Sequence, residues 1–187
     1  SGADHVAVVG ADTLTRMTDP DDRGTAFLFG DGAAAVVLSA SDPGPGLLAW
    51  DSGTDPGALH ALYADHNSFM QMEGQEVFRR AVRAVASSCA IALDRAGVAP
   101  ADVALFVPHQ ANLRIIEAAT ARLGIPLDRC AIVIEETANT SAASVPLALA
   151  AAVSDGRVSP GDAVLLCGFG AGLTWATAVL RWGTLAS

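Results

Sequence analysis

The sequence predicts an α/β protein, a sheet of buried strands with helices on its faces, and three observations carry that class. Short apolar runs, among them VAVVG (6–10), VALFV (103–107), AIVIE (131–135) and AVLLCGFG (163–170), have the length and bounding turn residues of buried strands. Between them lie segments with helical apolar spacing that stop at Gly97, Gly124 and Gly156. The chain of 187 residues is 51% hydrophobic and only 17% charged, which predicts a large buried core. No apolar run approaches the ~18 residues of a spanning helix, so no membrane insertion is expected.

The elements follow in order. After the strand at 6–10, TLTRMTDPDDRGTA (13–26) is a polar connection. In FLFGDGAAAVVLSA (27–40), Gly30-Asp31-Gly32 predicts a turn between two strands. DPGPG (42–46) reads as a loop and a weak boundary, and LLAWDSG (47–53) as a short strand. The stretch 53–72 reads as a loop lining an entrance. Residues 75–97 place Val77, Phe78, Ala81, Val82, Val85, Ala86, Cys89, Leu93 and Ala96 at helical spacing. VALFV leads through His109 into a helix at 111–124. AIVIE leads through Asn139 into a helix at 141–156, with Pro146 in its first or second turn. AVLLCGFG (163–170) and LTWATAVLRW (173–182) form a closing hairpin about Gly170-Ala171-Gly172.

Composition excludes several classes. The net charge is −9, and the eleven basic residues form no stripe, so nucleic acid is not an expected partner. Cys89, Cys130 and Cys167 are odd in number, far apart and in apolar surroundings. They predict neither a disulfide framework nor a metal site, and they fit a reducing, cytoplasmic setting. His60 and His66 beside Asp65 are too few for a metal. The chain opens Ser1-Gly2-Ala3-Asp4 without an initiator Met, which reads as a tag scar or a processed or truncated protein.

Chemistry concentrates at strand ends. His109 follows one strand, Asn139 a second, and GFGAG (168–172) a third. Ligands in layered α/β folds bind at such carboxyl ends. An imidazole, a carboxamide and a glycine-rich backbone are the parts of an oxyanion-stabilising acyl site. Each also has a plainer reading: a surface or core histidine, a helix N-cap, and a hairpin turn.

The strings VPHQANLRIIE (107–117), NTSAASVPLAL (139–149), FGDGAAAVVL (29–38), MEGQEVFRRAV (72–82) and LLCGFGAGLTWATAVLRW (165–182) decide between these readings. Together they resemble the C-terminal half of β-ketoacyl-[acyl carrier protein] synthase III, a thiolase-fold condensing family. The resemblance spans essentially the whole chain. It implies a mixed five-stranded sheet flanked by helices, normally paired with a second similar half in an αβαβα layered architecture. Residues 1–46 would be the end of the N-terminal half and its connection. The implied reaction joins an acyl-CoA primer to malonyl-acyl carrier protein, giving 3-oxoacyl-carrier protein, CoA and CO₂ and initiating fatty-acid or polyketide synthesis. His109 and Asn139 match the catalytic histidine and asparagine. Asn112, Phe78, Gly170 and Ala171 match substrate-contacting positions, and Arg114 and Arg79 match carrier-protein-binding ones. No cofactor and no metal are implied, and a homodimer is. Ala171 replaces one of the family's usual glycines, which predicts strain there if φ is positive; Ala138, before Asn139, is a second such departure.

The family's cysteine nucleophile lies upstream of the stretch matching residues 1–10, and none of Cys89, Cys130 and Cys167 is placed to replace it. The expectation is therefore a decarboxylating half that lacks its acyl acceptor. Three accounts stay open: a fragment of a longer enzyme, a chain completed by a separate N-terminal half, or a non-catalytic thiolase-fold scaffold. Transfer of an acyl group to a hydroxyl or amine is the alternative chemistry.

Overall fold

The computed structural model describes residues 3–40 and 46–183. Strand β1 (His5–Thr13) pairs antiparallel with β2 (Asp31–Ser39) in a two-stranded sheet. β3 (Gly46–Thr54) is followed by a 3-10 helix at Pro56–Ala61 and the short strands β4 (Leu62–Tyr63) and β5 (Gln71–Met72). Then come α1 (Gly74–Ala96), β6 (Val103–Pro108), α2 (Leu113–Leu123), α3 (Ile134–Thr137), α4 (Ser144–Ser154), β7 (Ala163–Gly170) and β8 (Thr174–Arg181). The main sheet has the order β3-β8-β7-β6, parallel only between β6 and β7.

Period-2 alternation along these strands builds two cores. Phe106, Leu165, Cys167 and Val179 join Val85, Cys89 and Leu93 of α1 and Leu123 at the end of α2. Leu105, Val107 and Val164 point the other way, onto Ala148, Leu149 and Ala152 of α4. Because side chains alternate faces along a strand, one sheet supports a helix layer on each side. Gly97 and Gly124 take left-handed conformations (φ 64° and 69°) that end α1 and α2. Pro146 lies in the first turn of α4, where its missing N–H has no helical acceptor to serve.

The α/β class with a mixed, helix-flanked sheet is as expected, but several details differ. The main sheet has four strands among the described residues, not five, because 131–135 is not a strand. Only Ala131 donates to Phe106 O (2.8 Å). The Gln110 carboxamide takes the place of the missing neighbour: its Nε2 donates to Pro108 O (2.7 Å) and Ala131 O (3.1 Å), and its Oε1 accepts from Val133 N–H (3.0 Å). α3 starts one residue later. Helix α2 begins at Leu113, not 111, because Asn112 caps it by accepting from Arg114 N–H (2.9 Å).

Gly30-Asp31-Gly32 is not a turn. Asp31 opens β2, and its carboxylate accepts from Thr15 N–H (2.9 Å) and the Thr15 hydroxyl (2.7 Å), anchoring the 3-10 helix at Leu14–Met17. The strand at 6–10 is not buried: Val9 is 67% exposed, and only Gly10 lies under cover. A Cβ on Gly10 would sit 2.4 Å from Ala142 O, so only glycine admits this approach. Most of the expected 42–46 loop lies outside the described residues; Gly46 already belongs to β3.

Candidate active site

β6 delivers His109 to the centre of the molecule. Its N–H donates to Cys167 O (2.7 Å), continuing the β6–β7 ladder by one residue. The ring is 9% exposed, with Phe169 edge-on at 5.1 Å and 78°. Burial pulls the imidazole down to about 4, so it is neutral at pH 7. Its Nδ1 faces the Ser144 hydroxyl at 2.5 Å.

Asn139 is fixed by its backbone. Its N–H donates to Leu28 O (2.9 Å), and its carbonyl accepts from Gly30 N–H (3.0 Å), a bridge to the residues before β2. Its Oδ1 accepts from Ser141 N–H (2.9 Å). That leaves Nδ2, a pure donor, as the outward end of the carboxamide. The preceding Ala138 has φ 57°, ψ −162°, a region nearly reserved for glycine. The strain expected at Ala171 is therefore found at Ala138, and Ala171 has no positive φ.

His109 and Asn139 both line two cavities and stand where these meet. One, of about 710 Å³, is largely apolar, with Leu14, Met17, Met70, Val145, Ala171 and Trp175 on its walls. The other, of about 880 Å³, holds Phe78, Asn112, Arg79 and Arg114. Gly170 and Phe169 border both. The structure thus gathers every expected site residue around one pair of connected cavities. Leu62, Tyr63, Ala64 and Met70 bring the 53–72 stretch to the walls.

The two arginines differ. Arg79 pairs with Glu76, whose carboxyl the Arg79 and Arg80 guanidiniums draw down to about 2. Arg114 is exposed and has no ion-pair partner among the described residues. The three cysteines line neither cavity. Burial pushes the Cys130 thiol up to about 12, and contact with Cys167 together with burial holds Cys89 well above the ordinary value. Neither of these is poised as a nucleophile, and Cys167, whose thiol the contact with Cys89 draws down, is buried in β7 away from both cavities. Among the described residues, no three His, Cys, Asp or Glu side chains gather as a metal site.

Sequence reasoning missed Ser144, Ser141 and the Gln110 carboxamide as parts of this site. Ser141 and Ser144 lie inside NTSAAS, but nothing in the string says which hydroxyl or N–H faces which ring. Phe169 was visible only as the apolar residue of a glycine loop.

Two family models match the chain. One, described as 3-oxoacyl-[acyl-carrier-protein] synthase III, covers residues 1–56, and the other, the C-terminal part of the same family, covers 93–182. A β-ketoacyl-[acyl-carrier-protein] synthase III of Bacillus cereus is 46% identical over 96% of this chain and 57% of its own length. The solved synthase III of Thermus thermophilus is 46% identical with a TM-score of 0.93, covering 98% of this chain and 60% of that one. The priming β-ketosynthase of the R1128 polyketide pathway is 40% identical with a TM-score of 0.89, covering 97% and 58%. The chain thus spans a little over half the length of the relatives it matches. With both family models, their order along the chain and the His109–Asn139 geometry in agreement, the chain belongs to the 3-oxoacyl-[acyl-carrier-protein] synthase III family.

Proposed function

We propose that this chain supplies the decarboxylating half of a synthase III-type condensation: acyl-CoA primer plus malonyl-acyl carrier protein gives 3-oxoacyl-carrier protein, CoA and CO₂. One observation carries the reading. His109 and Asn139 each line both cavities, and each has one polar end tied to the protein and the other without a protein partner among the described residues.

The chemistry follows from charge. When the malonyl C–C bond breaks, the electron pair passes into an enolate, and negative charge builds on the thioester oxygen. The Asn139 Nδ2–H and the free imidazole N–H are donors for that oxygen, pre-placed so that they cost little reorganisation. A neutral imidazole suits this role, since it donates without transferring its proton. The enolate carbon then attacks the acyl group held on a cysteine, whose sulfur leaves as thiolate. That cysteine and residues upstream of 1–46 belong to an N-terminal half outside this chain, with 1–46 as the end of that half and its connection. The placement of Cys89, Cys130 and Cys167 away from both cavities supports this division.

The cavities divide the substrates. The apolar one takes the primer's acyl chain. The other takes the pantetheine arm past Phe78, Asn112 and Gly170, with Arg114 and Arg79 at its mouth for the acidic carrier protein. The same reading makes the protein a cytoplasmic homodimer acting without a cofactor.

The test is release of CO₂ from malonyl-carrier protein by the full-length protein that carries this chain. His109→Ala and Asn139→Ala are each expected to lower the rate by about 10²–10³-fold, the usual effect of losing one oxyanion donor. Unchanged decarboxylation in both variants refutes the role. Acyl transfer to a hydroxyl or amine with no CO₂ released would establish the alternative acyltransferase, and no reaction at all a scaffold.

A further inference from the structure

The oxyanion role just proposed requires His109 to carry its proton on Nε2, and the ring alone does not decide this. A neutral imidazole holds one proton on either nitrogen, and the partner of the other nitrogen selects which. From the hydrogen bonds around Ser144 we infer that Ser144 is the positioning residue that selects the tautomer, donating its hydroxyl proton to Nδ1 and leaving Nε2–H as the donor.

Ser144 is fully buried, at 0% exposure. A buried hydroxyl has one proton to place and two lone pairs to satisfy. Among the described residues its oxygen has two partners: His109 Nδ1 at 2.5 Å and the Gln110 backbone N–H at 3.3 Å. The backbone N–H can only donate, so it takes a lone pair of Ser144. The sole group left to accept the Ser144 proton is Nδ1. An Nδ1–H ring would instead leave the hydroxyl proton buried without an acceptor, a costly arrangement. The histidine's own chain neighbour thus forces its ring state, through a hydroxyl borrowed from the first turn of α4.

Asn139 is sorted in the same sense. The Ser141 N–H occupies its Oδ1 and leaves Nδ2–H free. Residues 141 and 144, on consecutive helical turns, each tie the acceptor end of one site group, so both groups present donors to the same space. Burial holds the imidazole neutral, which keeps the choice between two tautomers and excludes the doubly protonated ring.

The experiment is a long-range ¹H–¹⁵N correlation spectrum of histidine side chains in the full-length protein at pH 7, assigned to His109 by comparison with His109→Gln. The expected wild-type pattern is a pyridine-type Nδ1 and a pyrrole-type Nε2. Ser144→Ala should abolish that pure pattern and Ser144→Thr, which keeps the hydroxyl, should restore it. Decarboxylation of malonyl-carrier protein should fall about ten- to a hundredfold in Ser144→Ala, the scale seen for partners that orient metal-ligating histidines, and recover in Ser144→Thr. A pyrrole-type Nδ1 in the wild type overturns the inference even if no variant folds. An unchanged spectrum in Ser144→Ala overturns it as well. The spectrum is independent of catalysis, so an Nε2–H ring in an inactive protein refutes the proposed function and leaves the Ser144 role intact.

Discussion

At the scale of single residues, the site is built from groups placed where they are costly. Burial holds His109 neutral down to about pH 4, whereas in the unfolded chain it protonates near the ordinary value of 6.5. Between those values the unfolded state binds a proton that the folded state refuses. Stability from this group is therefore fully present above about pH 6.5 and is lost as pH falls towards 4. Between pH 7 and pH 4.5 the wild type should lose about 2–3 kcal/mol more than His109→Gln. Urea melts at the two pH values check this, and equal losses refute it. Thr140 is a second such residue. Its side chain is buried, and Oγ1 has no hydrogen-bond partner among the described residues. Thr140→Val keeps the shape and removes the orphaned hydroxyl, so it should stabilise the protein by about 1 kcal/mol. A lower melting temperature for that variant would mean that the hydroxyl has a partner.

At the scale of elements, Gln110 does what a fifth strand was expected to do. It bonds Pro108, Ala131 and Val133, tying the segment that leads to Asn139 onto the end of β6. Gln110→Met fills the same volume but strands those backbone groups. It should cost about 3 kcal/mol and speed amide exchange at Val133 ahead of the rest of the sheet. Exchange that stays slow at Val133 would show that the segment is held by other means. This element also shows where sequence reading stops. α1, β6, β7 and β8 were legible within a few residues, because local period and glycine stops specify them. AIVIE has the composition of a strand, yet Ala131 O and Val133 N–H find their partner in a side chain 21 and 23 residues earlier in the chain, and no local pattern announces that. Gly30-Asp31-Gly32 failed for a related reason: Asp31 is needed as an acceptor for Thr15, and Gly32 for the approach of Thr140. The positions of His109 and Asn139 were legible as strand-end residues. Their tethers, Ser144 and Ser141, were not, because a hydroxyl or N–H is assigned to a partner only once the chain has folded around it.

At the scale of the whole molecule, large apolar side chains lie open to solvent. Phe27 (73%), Val37 (68%) and Val9 (67%) are exposed on or beside the β1–β2 sheet, with Trp50 (59%) on β3. Such a cluster marks an interaction surface. The chain by itself should self-associate with rising concentration, and Phe27→Ser with Val37→Thr should shift it towards monomer in light scattering after gel filtration. A concentration-independent monomer in the unsubstituted chain would refute this. The pairing of β3 with β8 has a temporal consequence. Gly46 lies opposite Arg181, and Thr54 opposite Thr174. A ribosome releases β3 long before β8 exists, and at ordinary elongation rates the wait is on the order of ten seconds. Throughout that interval Leu47 and Trp50 ride on a strand with no neighbour, and α1 can cover only one of its faces. Newly made chains are thus open to a chaperone, or to one another, until β8 arrives and slots between β3 and β7.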